Sequence, residues 1–231
     1  MNPMTRFRRR GFLAAIAIFT VLVLLFVGYF FHCGRDYARV SLPQKYWLLS
    51  RDCKDTTASA IIGESYVSGG AGYLVETGGN QSVALACYYA ETTARSVQEV
   101  MTGKGVETRV TEICPEDVEL NGGAAGQAGR IAANADTADT CTRILYDAAN
   151  GLERTEVSQE EARTAVRGVV KSLKGLAAEN QGRLYERWNA ELARICRKGT
   201  ELSEGILFAR DLRYLQVWLC IFVTDAADYF A

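Results

Sequence analysis

This sequence has almost no histidine, the residue on which most acid–base and metal chemistry rests. The single copy in 231 residues is His32, at the end of a long apolar run, so histidine-based catalysis is excluded. No G-x-S-x-G or H-E-x-x-H element occurs, and no two cysteines stand in C-x-x-C spacing. The glycine-rich stretch "SGGAGYLVETGG", Ser68 to Gly79, lacks the lysine that a phosphate-cradling loop requires and runs into a strand pattern rather than a helix. The acidic clusters "PED" at Pro115 and "SQEE" at Ser158 read as a linker and a helix cap, not as the paired carboxylates of a glycosidase. The reading is of a non-enzymatic chain with no catalytic residues, no metal ligands and no cofactor.

Charge is also missing where it matters. "GFLAAIAIFTVLVLLFVGYFF", Gly11 to Phe31, holds 21 residues without a charge, enough at about 1.5 Å per residue to cross a hydrocarbon core of about 30 Å. This predicts a transmembrane helix over residues 11–31. The cluster Arg6, Arg8, Arg9 and Arg10 precedes it, while Arg35 and Arg39, offset by Asp36, follow. That bias puts residues 1–10 in the cytoplasm and the bulk of the chain outside the cell membrane, as a single-pass protein. The apolar core is longer than that of a signal peptide, and "FFHCGRD" offers no small-x-small cleavage site, so the anchor is read as retained. Phe30, Phe31 and His32 stand where a lipobox before Cys33 would need small residues, so lipidation is rejected.

Beyond the four leading arginines, 22 basic residues face 27 acidic ones. That portion carries no electrostatic footprint for nucleic acid. Six of the seven cysteines (Cys53, Cys87, Cys114, Cys141, Cys196, Cys220) lie past the anchor. They are even in number and able to pair in an oxidising compartment, but several sit at apolar-periodic positions that equally suit buried free thiols.

What is present is a repeat. "DTTASAI" from Asp55 and "ETTARSV" from Glu91 align at an offset of 36 residues. Each predicts a helix start, with the acidic residue and threonines supplying N-cap oxygens and first-turn charge. Strand-like runs flank both copies: Lys45 to Arg51, Gly72 to Thr77, Ser82 to Tyr89 and Val106 to Ile113. "TGGN" joins the middle two as a hairpin turn. Residues 45–113 are therefore expected to form a β-α-β-β-α-β module, a ferredoxin-like α+β sandwich with four antiparallel strands and both helices on one face. Gly69, Gly70 and Gly72 stop the first helix, because glycine reaches positive φ without steric cost.

Strict alternation along "SVALACYY" would turn Val83, Leu85 and Cys87 toward those helices and leave Ala84, Ala86 and Tyr88 on an open face. Past Pro115 the pattern becomes helical with no further strands. Residues 123–231 read as a helical domain, with an apolar stripe from Ala128 to Leu152 and a capping box at Ser158 and Glu161. Its last helix contains "LQVWLCIFV", Leu215 to Val223, too short to span a bilayer and expected to be a core helix.

A cytoplasmic stub, one membrane helix and an external module of this order resemble membrane proteins carrying a SPOR (sporulation-related repeat) domain. The segments "SGGAGYLVE" and "VALACYYAETTARSVQEVMTGKGVETRV" carry the resemblance, together with the repeat itself. The first strand, in "YWLLSRDCKD", departs from that family's opening valine–glutamine and glycine–phenylalanine elements. The resemblance implies binding of peptidoglycan glycan strands in cell division or sporulation. On an open sheet, Tyr88, Glu76 and Arg109 would be the glycan-binding residues, since sugar rings stack on aromatics and exchange hydrogen bonds with polar side chains. RNA-recognition modules share the strand order, but "SVALACYY" lacks their basic residue, glycine and internal aromatics. The alternative is a membrane-anchored interaction scaffold with no glycan binding, recruiting an envelope protein through the helical region and "RDLRYLQVWLCIFV".

Overall fold

The computed structural model describes residue 23 and residues 37–53, 57–77 and 80–230. The stub at 1–10 and the expected membrane helix Gly11–Phe31, apart from Val23, lie outside the described residues, as do His32, Cys33, Asp55, Gly78 and Gly79. Among the described residues no helix is long and apolar enough to cross a membrane.

The protein is α+β, and its described residues form seven α-helices and two small antiparallel sheets. A two-stranded ribbon pairs β1 (Tyr37–Val40) with β6 (Val118–Asn121). The larger sheet contains β2 (Tyr46–Asp52), β3 (Tyr73–Thr77), β4 (Asn80–Tyr88) and β5 (Arg109–Ile113), in the spatial order β3-β4-β2-β5. Helix α1 (Ala58–Ser68) follows β2, and α2 (Glu91–Gly103) follows β4. The order across the repeat is thus β-α-β-β-α-β. The remaining helices are α3 (Ala128–Glu153), α4 (Gln159–Glu179), α5 (Glu186–Glu204), α6 (Ala209–Thr224) and the short α7 (Ala226–Phe230).

The glycine seam works as its residues require. Gly69 adopts the left-handed conformation at φ 80° and caps α1, with the Gly70 N–H donating to the Ser65 carbonyl at 2.8 Å. The helix starts differ from expectation. Neither Thr57 before α1 nor Ala90 before α2 provides a side-chain cap. Thr57 Oγ1 lies 3.2 Å from Ser59 Oγ instead, while Glu91 does supply the expected first-turn charge of α2 and pairs with Arg95 at 2.7 Å. The box at Ser158 does form: the Glu161 N–H donates to Ser158 Oγ, and the Ser158 N–H donates to the Glu161 carboxylate.

Two corrections concern strands. The ribbon β1–β6 was not foreseen past Pro115, because "VELN" shows only one cycle of alternation, with Val118 and Leu120 buried and their neighbours exposed. The second lies in β4. Leu49 pairs with Ala86 and Ser50 with Ala84, which leaves Leu85 as an unpaired bulge residue. A bulge adds one residue and resets which way the strand's side chains point. Val83 and Leu85 face α1 and α2, packing with Leu49 and Ile61, as alternation requires. Past the bulge the order inverts. Tyr88 joins that same core, and Cys87 turns to the other face.

That other face is not open. α6 and α3 lie across it and bury Tyr46, Leu48, Ala84 and Cys87 in one continuous core with Leu145, Leu212, Leu215 and Phe222. "LQVWLCIFV" is apolar on nearly every side because it is packed between the sheet and the other helices. Trp188 of α5, fully buried, closes this core against Phe222 and Phe230.

Candidate ligand groove

The three residues expected on one surface are divided between two. Tyr88 is half-buried on the α1/α2 side, edge-on to Tyr146 of α3 at 6.2 Å, and burial pushes its phenol up to about 12. It lines a cleft of about 300 Å³ with Leu85, Val97, Met101 and Arg213. Arg213 closes one end of that cleft. Its Nη1 donates to the Gly69 carbonyl at 2.7 Å and its other nitrogen pairs with the Glu153 carboxylate, which it holds below the usual glutamate range. The glycine seam is thereby tied to the helical region.

Glu76 and Arg109 line a second depression of about 430 Å³, where the C-terminal end of α6 leaves part of the sheet uncovered. β2 contributes Leu48 and Ser50 to its floor, β3 contributes Tyr73 and Val75, and β5 contributes Arg109, Thr111 and Ile113. Ile221, Thr224 and Asp225 form the helical wall. Arg109 stands opposite Ser50 in the β2–β5 register and reaches Asp52 at 3.3 Å. Glu76, on the edge strand, accepts from Gln81 Nε2 at 2.8 Å. Tyr73 packs against Tyr214 with tilted rings 5.3 Å apart, and burial, with Tyr214 next, pushes its phenol up to about 12.

Asp225 caps the end of α6. It keeps part of its surface in water, but the protein atoms crowding its carboxyl push it up to about 6, with the charge of Asp228 adding to the effect. The negative end of the α6 dipole acts in the same direction. The groove therefore combines an aromatic, a cation, three carboxylates (Glu76, Glu112 and Asp225) and several hydroxyls over an apolar floor, a set suited to a polyhydroxylated ligand. Among the described residues, no cluster of three or more histidine, cysteine or carboxylate side chains is placed to hold a metal ion.

Tyr73 was legible as a face-mate of Val75 by period two. Thr224 and Asp225 were not, because no local pattern says where a helix end more than a hundred residues away will land. No protein family, curated protein or solved structure matches this chain.

Proposed function

We propose that this chain is a membrane-anchored, extracytoplasmic, non-enzymatic protein of the SPOR-like, ferredoxin-like type. In this reading it engages peptidoglycan glycan during division or sporulation, with Glu76 and Arg109 in the groove beside Tyr73 as its contact residues. The observation that carries the reading is the groove itself: a polar and aromatic depression on the sheet of a β-α-β-β-α-β module, left open where the rest of that face is covered. The anchor at residues 11–31 supplies the location.

Retention on amidase-treated cell-wall sacculi tests it, using the chain from Tyr37 onward in one piece, because the sheet and the helices share a core. Arg109→Ala and Glu76→Gln are expected to weaken retention while leaving the thermal transition in place. A wild-type chain that does not bind sacculi ends the glycan reading.

The scaffold reading is favoured by a different observation. α6 and α3 cover most of the sheet face that a SPOR-like module would present to glycan. Its docking surface could not be "LQVWLCIFV", which is interior. It would lie on exposed apolar groups such as Ile206 and Phe208, in the loop between α5 and α6.

A further inference from the structure

Most of the polar atoms between α6 and the sheet are explained by packing, but one pair of side chains there carries unused chemistry. Cys87 projects from β4 past the bulge, and Cys220 projects from the fourth turn of α6. Both are wholly buried in the same core, and the Cys87 side chain is near enough to help raise the Cys220 thiol. Gln216, one turn before Cys220 on the same helix face, fixes this register: its Nε2 donates to the Cys87 carbonyl at 2.9 Å and lies 4.0 Å from Cys220 Sγ. Thr142 of α3, bonded to Tyr89 at 2.6 Å, closes the same pocket. Both cysteines are reduced in this structure.

From this juxtaposition we infer that Cys87 and Cys220 form a reversible disulfide that fastens α6 across the second face of the sheet. The oxidant is a low-molecular-weight disulfide such as oxidised glutathione. One cysteine thiolate attacks a sulfur of that disulfide and releases a glutathione thiolate, leaving a mixed disulfide on the protein. The second cysteine thiolate attacks the protein sulfur of that mixed disulfide and expels the other glutathione. Two protons and two electrons leave the protein, and two reduced glutathione molecules are formed.

Burial raises the Cys220 thiol well above its ordinary value, which keeps the packed pair slow to exchange. The bond is therefore made while α6 is lifted, during folding or local opening, and protected once α6 is seated. The two cysteines stand 133 positions apart in the chain, so the bond constrains the unfolded state over a long loop. This chemistry does not depend on glycan binding or on the direction of the membrane anchor.

The test uses the full chain in detergent micelles, reduced and then held with oxidised glutathione in urea just below its unfolding midpoint. Peptide mapping by mass spectrometry is expected to show Cys87 joined to Cys220, with a rise in Tm of about 5–15 °C that dithiothreitol reverses. Cys220→Ala should abolish both the linked peptide and the Tm rise. If that variant does not fold, the wild-type peptide map alone decides. A map in which Cys87 and Cys220 remain free, or in which either joins a different cysteine, overturns the inference.

Discussion

The two faces of the four-stranded sheet are covered by different means. The first is covered by α1 and α2, which are its immediate neighbours in sequence, and its core is mostly aliphatic: Leu49, Ile61, Val83 and Leu85, with Val97 and Val110 at its margin. The second is covered by α3 and α6, which enter the chain much later, and it mixes apolar packing with hydrogen bonds. Tyr46 donates to Asp139 at 2.8 Å, Tyr89 meets Thr142 at 2.6 Å, and Gln216 donates to the Cys87 carbonyl at 2.9 Å. The first face is held by non-directional burial. On the second, polar partners fix the register of two helices that the strands alone could not position.

The comparison can be broken most forcefully by removing one cover. A fragment ending at Pro115 would leave Tyr46, Leu48 and Ala84 in water, and it is expected to lose cooperative melting followed by circular dichroism. A sharp transition would mean that the first face alone sustains the module.

Point changes sharpen the contrast. Leu49→Ala, at 2% exposure in the first core, is expected to cost about 2–5 kcal/mol in urea unfolding. Tyr46→Phe keeps the ring and removes the donor to Asp139, and is expected to cost about 1–2 kcal/mol. A loss from Tyr46→Phe as large as that from Leu49→Ala would show that the polar face carries as much stability as the apolar one. Gly69→Ala forces a side chain to φ 80° at the seam where Arg213 joins the two regions, and should cost about 1–2 kcal/mol.

The smallest effect concerns pH. The folded carboxyl of Asp225 titrates at about 6 against an ordinary 3.8, so folding favours its protonated form. Its contribution is present below about 4 and is lost as pH rises toward about 6. Partial exposure keeps that contribution small. Asp225→Asn should therefore flatten the stability profile across that window and help most at neutral pH. A steeper profile in the variant would put the sign wrong.

The repeat at Asp55 and Glu91, the glycines from Gly69 to Gly72 and the capping box at Ser158 are local signals, and each reports a local event. They were enough to give the element order across residues 45–113 and the helical character of the chain beyond. The ribbon strand Val118–Asn121 was invisible for the same reason, since four residues form a strand only because Tyr37–Val40 arrives to pair with them.

By itself the sequence determined the β-α-β-β-α-β order, the helix stop at Gly69 and the long apolar run at Gly11 to Phe31, because backbone preferences and apolar periodicity act over a few turns of chain. Only the tertiary structure decided that the second sheet face is covered, that Tyr88 lies apart from Glu76 and Arg109, and that Cys87 and Cys220 share one core. A single bulge residue, Leu85, reverses the facing of everything after it in β4. The landing place of α6 depends on burying apolar surface contributed by segments more than a hundred residues apart, which no local pattern records.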